Sequence, residues 1–122
     1  MTDAAYGIDC SWKDDILRIV ITGHTTVRNA GAIAQEVITL AAAQRATRLL
    51  IDARNLQGRL GITDTYFHVR DYPAEMPRTR TAVVDLAENE PYWSFHETAA
   101  ANIGFALRYF VDVDAAGAWL RQ

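Results

Sequence analysis

The chain is nearly without cysteine, and Cys10 stands alone. One thiol cannot close an intramolecular disulfide, and it offers too few ligands for a cysteine-based metal site. Lysine is equally scarce. Lys13 is the only one, and the arginines that carry the remaining positive charge are scattered along the chain (Arg18, Arg28, Arg45, Arg54, Arg70, Arg108). With 12 basic against 15 acidic residues and a formal net charge of -3, the sequence lacks the basic field that nucleic acid or an anionic surface would call for. No apolar run reaches the roughly 20 residues of a membrane span. Met1 to Ala5 carries no apolar leader core, so the expected location is the cytoplasm. Motifs are missing too. No strand is followed by a Gly-x-Gly-x-x-Gly or Walker-type loop, so nucleotide phosphates have no cradle. There is no Gly-x-Ser-x-Gly elbow and no His-Glu-x-x-His spacing. Neither a cofactor nor a metal is expected.

What is present suits one α/β domain over residues 1–122. The length fits a single domain, and 50% apolar residues supply its core. Tyr6, Ile8, Cys10 and Trp12 alternate with Gly7, Asp9 and Ser11, the period of a strand with one wet face, and Cys10 reads as a small core residue. Lys13-Asp14-Asp15 is a tight turn, and Ile16 to Thr22 is a second, β-branched strand, so the two form an N-terminal antiparallel hairpin that Gly23 ends. Thr25, Thr26 and Asn29 are cap candidates for an amphipathic helix that presents Ala30, Ile33, Ala34, Val37, Ile38 and Ala41 on one face. Arg48 to Asp52 is a short apolar strand covered on both sides, followed by a loop with Gly58 and Gly61. A second helix is expected from about Ile62 to Asp71 or Tyr72, ended by Pro73 and Pro77. Thr81 to Leu86 is another buried strand. Glu90-Pro91 opens a third helix that runs to about Ile103, with Gly104 closing it. Leu107 to Val111 is the last strand, and Asp112 caps a final helix whose Ala115, Ala118 and Trp119 face inward. The order β-β-α-β-α-β-α-β-α implies a mostly parallel sheet with an antiparallel N-terminal edge and helices packed against it.

Ligands of open α/β sheets sit beyond the carboxyl ends of the strands. Asp52-Ala53-Arg54-Asn55 follows one inner strand, and Asp85 to Glu90 follows another. If the two strands are neighbours, Asp52 and Asp85 form a carboxylate pair able to do acid–base work. The alternative is that they hold loop amides, or pair with Arg54 and Arg59. Asp64, His68 and Asp71 share one face of the second helix and read as a solvated face, while His96 and Glu97 diverge on the third helix and form no dyad. Aromatic residues are concentrated on the second and third helices (Tyr66, Phe67, Tyr72, Tyr92, Trp93, Phe95). Adjacent Tyr66 and Phe67 cannot both meet the sheet, so this surface covers a wide core or meets a dimer partner or another protein.

The hairpin, Leu49-Leu50-Ile51-Asp52-Ala53-Arg54 with its glycine-bearing loop, and Arg108-Tyr109-Phe110-Val111-Asp112 followed by Ala118-Trp119-Leu120 together resemble the anti-sigma-factor antagonist (STAS, SpoIIAA-like) superfamily. The resemblance covers nearly the whole chain. It implies a non-enzymatic regulatory module that binds a partner kinase, which phosphorylates a serine at the start of the helix after the Asp-bearing strand. Gln57 to Thr65 contains no serine here, and Thr63 and Thr65 are the nearest hydroxyls. The expected partner surface comprises Asp52, Arg54, Asn55, Arg59, Thr63, Tyr66, Phe67, Asp85 and Trp93, with a homodimer and a protein partner expected. A likeness to CRAL-TRIO-type lipid carriers leaves a small apolar ligand between the second and third helices as the alternative. An enzyme using Asp52, Asp85 and Glu90 is a third reading.

Overall fold

The computed structural model of the protein describes residues 6–60 and 79–122. The chain opens on a hairpin, β1 (Tyr6–Lys13) and β2 (Ile16–His24). Asp14 and Asp15 both take left-handed φ values, 50° and 64°, which gives the two-residue turn the twist that the flanking strands need. Short polar side chains tolerate that conformation best after glycine. The pairing then runs without interruption from Lys13 opposite Ile16 to Tyr6 opposite Gly23. Gly23 does not end the strand as expected. It lies inside β2, where its φ of 102° bends the last two residues towards a second neighbour.

Helix α1 (Ala30–Ala43) follows. Thr26 and Asn29 set its start reciprocally: Asn29 Oδ1 accepts the Thr26 N–H at 2.7 Å, and Thr26 Oγ1 accepts the Asn29 N–H at 3.1 Å. Strand β3 (Arg48–Asp52), the short β4 (Leu56–Gln57) and β5 (Arg80–Val84) come next. The helix expected around residues 62–72 lies outside the described residues. After β5, a 3₁₀ turn over Ala87–Asn89 leads into α2 (Glu90–Asn102), then β6 (Leu107–Phe110) and α3 (Val113–Leu120). Asp112 caps α3 through the Asp114 and Ala115 amides.

The sheet order is β1-β2-β3-β5-β6, with β4 beside the end of β2. β1 is antiparallel to β2, and β2, β3, β5 and β6 are mutually parallel, so the expected α/β architecture is the observed one. On one face, Leu17, Ile19, Ile21 and Leu49 pack under Ile33, Val37 and Ala41 of α1, while Val83 and Tyr109 pack under Tyr92 and Trp93 of α2. On the other face, Ile16, Leu50, Ala82 and Val84 receive Ala116 and Leu120 of α3.

Several expectations are corrected here. Cys10 is exposed, because β1 is the sheet's edge and α1 lies over β2 and β3. Ala115 and Ala118 are exposed too, while Ala116, Gly117 and Leu120 are buried. An alanine-rich helix carries apolar residues on every side, so its composition does not fix which side faces in. Leu86 is no strand residue. β5 stops at Val84, and the Asp85 carboxylate takes the next amide, that of Leu86, at 2.8 Å.

Candidate functional site at the carboxyl ends of the strands

Because β2, β3, β5 and β6 run parallel, the loops that leave them all lie at one end of the sheet. Asp52 closes β3 and Asp85 follows β5, both essentially buried. The strands are neighbours, with Asp52 opposite Val84, so Asp85 sits one residue further on and on the opposite face. The two carboxylates therefore do not converge, and the acid–base pairing is overturned by strand alternation.

Each carboxylate is held by arginine instead. Arg54, two residues beyond Asp52, donates to its Oδ1 from the backbone N–H at 3.1 Å and from Nε at 3.0 Å, and to its Oδ2 from Nη2 at 2.7 Å. Arg18 of β2 reaches the same Oδ2 at 3.0 Å. These bonds, Arg54 foremost, hold the Asp52 carboxyl down at about 2 from an ordinary 3.8, against burial, which pulls it upward. Arg18 contributes at a cost, since its Nε is buried without a partner.

Asp85 has five donors. Oδ1 accepts from Arg59 Nη2 at 2.7 Å, the Leu86 amide at 2.8 Å and Asn89 Nδ2 at 3.0 Å. Oδ2 accepts from Arg59 Nε at 3.2 Å and Trp93 Nε1 at 3.3 Å. The other donors of Arg59 go to the carbonyls of Ala53, Leu56 and Gly58 at 3.0, 2.8 and 2.7 Å. One guanidinium thus ties the whole 53–59 loop to the end of β5 and the start of α2. Gly58 permits this shape. It has a φ of 81°, and a Cβ there would stand 2.7 Å from the Thr25 carbonyl oxygen. The loop is fixed on its other side by the Thr25 amide donating to the Gln57 carbonyl at 2.8 Å.

Trp93 belongs to this scaffold more than to a free surface. Its ring stacks on Tyr109 of β6, with centroids 5.3 Å apart. His96 and Glu97 form no bond to each other but both hold Tyr109: His96 Nδ1 meets its hydroxyl at 2.7 Å, and Glu97 Oε2 accepts its amide N–H at 2.7 Å. Asn55 is exposed at the loop tip. Thr63, Tyr66 and Phe67, and with them Thr65, Asp64, His68 and Asp71, lie outside the described residues. Among the described residues no His/Cys/Asp/Glu cluster could hold a metal, and no helix is long and apolar enough to cross a membrane.

A cavity of about 150 Å³ lies between α1 and α2 over the inner strands, with Ile33, Val37, Ile51, Val83, Tyr92 and His96 among its walls. That volume suits a benzene-sized molecule and falls below the roughly 300 Å³ at which small-molecule sites begin. Trp93 borders a different hollow, about 560 Å³, with Glu90, Ser94 and Glu97. It is open to solvent, with walls that are polar and apolar in equal part.

Residue-type reasoning missed three features of this end. Val27, Leu86 and Val111 stand 69%, 40% and 54% exposed, on the loops after β2, β5 and β6. An apolar residue inside a polar loop was the available signal.

No protein-family model matches the chain, and no curated protein matches it. Solved structures do. An anti-sigma factor antagonist from Mycobacterium paratuberculosis aligns over 97% of this chain and 96% of its own, at 18% identity and a TM-score of 0.59. The chain has the SpoIIAA-like fold. An uncharacterised DUF3478-family protein from Shewanella loihica PV-4, described as having that same fold, aligns over 98% of this chain and 97% of its own, at 16% identity and a TM-score of 0.54. The SpoIIAA-like arrangement accounts for the antiparallel hairpin, the parallel strands and the loops gathered at one end.

Proposed function

We propose that this protein works by binding another protein, as a regulatory module of the anti-sigma-factor-antagonist type, and not by catalysing a reaction. One juxtaposition carries the reading. At the carboxyl end of the sheet both buried carboxylates are occupied by arginines, while Val27, Leu86 and Val111 are left exposed around them. A reacting carboxylate needs an open oxygen within reach of a substrate proton. Asp85, with five donors, and Asp52, with four, serve instead as anchors of a rigid loop. A pre-shaped loop loses little conformational entropy on docking, and exposed apolar residues supply the burial that drives association. The SpoIIAA-like neighbour described as an anti-sigma factor antagonist supplies the partner class, an anti-sigma factor.

The test is a paired capture from extract of the source cells, using the wild-type protein and a Leu86→Asp/Val111→Asp variant. Both substitutions are at exposed positions, so circular dichroism should be unchanged. An anti-sigma factor retained by the wild type and lost by the variant supports the reading. If the variant holds the same proteins as the wild type, this end is not the binding surface. If neither holds an anti-sigma factor, the partner class is wrong.

A further inference from the structure

The sheet has two edges, and they are treated differently. β6 is short, four residues, and its Tyr109 amide is taken by the Glu97 carboxylate of α2. β1 is eight residues long, and among the described residues it pairs on one side only, with β2. It carries no proline and no bulge; its edge charges are one of each sign, Asp9 and Lys13, and Asp9 through Lys13 are all exposed.

The hairpin's geometry says which backbone groups face outward. A two-residue turn closes on a hydrogen-bonded pair, Lys13 with Ile16. Alternation along the antiparallel ladder then leaves the N–H and C=O groups of Tyr6, Ile8, Cys10 and Trp12 pointing away from β2. These are strong groups whose best partner is another strand.

We infer that two copies of this chain pair through the outer edges of β1, antiparallel about a two-fold axis centred on Ser11. Paired residues must face the same side of the sheet, which restricts the centre to a residue. Centring on Asp9 sets two aspartates against each other. Centring on Cys10 leaves Asp9 opposite the partner's Ser11 and Lys13 opposite the partner's Gly7. Centring on Ser11 sets Asp9 opposite the partner's Lys13 and Lys13 opposite the partner's Asp9, an opposite-charge match made twice on one face. On the other face it lays Trp12 against the partner's Cys10, again twice, covering an indole that is 48% exposed. The four outward groups of Cys10 and Trp12 all find partners. The two-fold pairing uses the same edge of both copies and so closes at two, and at the other edge the Tyr109 amide of β6 is already taken by Glu97. This surface lies at the sheet edge, away from the loops proposed for the protein partner, and either reading can fail without the other.

The experiment is light scattering after size exclusion, at concentrations up to about 100 µM. The wild type is expected at twice the chain mass. Lys13→Glu sets like charges opposite each other twice and is expected to weaken the dimer about tenfold or more, while Asp9→Lys/Lys13→Glu restores it. In a Cys10→Ser background, Ser11→Cys is expected to give a covalent dimer on mild oxidation. The two Ser11 positions form a pair with Cα atoms about 4.5 Å apart, within disulfide reach. A wild type that stays monomeric overturns the inference. So does a dimer that Lys13→Glu leaves intact, a charge reversal that fails to restore it, or the absence of a Ser11→Cys crosslink.

Discussion

Replacing Asp52 by asparagine leaves Arg18 and Arg54 facing one uncharged amide. At neutral pH the variant should lose about 1–2 kcal/mol, the low end reflecting solvent screening of the half-exposed arginines. The sign of the pH dependence follows from the depressed carboxyl. Since its folded value of about 2 lies below its ordinary 3.8, the stability it contributes is complete above pH 3.8 and lost as pH falls towards 2. Urea unfolding of wild type and Asp52→Asn should therefore give curves that differ at pH 6 and converge near pH 2. A difference that persists unchanged at the acid end would mean that the charge pair is not its source. At this scale the sequence was half legible. That Asp52 and Asp85 hold loop amides or pair with Arg54 and Arg59 was one of two readings the sequence allowed; which arginine meets which carboxylate was not legible. Arg18 and Trp93 as further donors were not, since both come from other elements.

Among the elements, the 53–59 loop depends on Gly58 as much as on Arg59. Gly58→Ala must hold a side chain at φ 81° and push a methyl into the Thr25 carbonyl. The expected loss is more than about 1 kcal/mol. Thermal unfolding measures it, with Gly31→Ala as a control, because nothing lies within 4 Å of a Cβ at Gly31. If both substitutions behaved alike, the close approach at Gly58 would not be limiting. Element positions were the best-read feature of the sequence. Period-two alternation marked β1, the 3.6-residue stripe marked α1, and Glu90-Pro91 marked the start of α2. β4 was not seen, because two residues carry no period. The inward face of α3 was misread for want of polar residues to mark its outer side.

For the whole molecule, the sheet order predicts where opening is hardest. β3 and β5 are central and covered on both faces, by α1 and α2 on one side and α3 on the other. Amide exchange should be slowest across Leu49–Ile51 and Ala82–Val84 and should measure global unfolding there, while the β1 edge exchanges sooner. Slower exchange in β1 than in β3 would contradict this order for the isolated monomer. It would also be the signature of the edge pairing, and dilution separates the two: protection from pairing falls with concentration and protection within the fold does not.

By itself the sequence determined the N-terminal hairpin, the parallel sheet with its antiparallel edge, and the loops that hold Asp52 and Asp85. Those follow from local periodicity and turn chemistry, which neighbouring residues specify among themselves. Tertiary structure decided that Asp52 and Asp85 part company across the sheet and that Cys10 lies exposed at its edge. It also decided that β1 and β6 are the outer strands of the sheet and that Glu97 takes the Tyr109 amide at the β6 edge. Each of these turns on which strand lies beside which and on which face a residue lands, and that is fixed by burial of the whole apolar surface together, not by any segment alone.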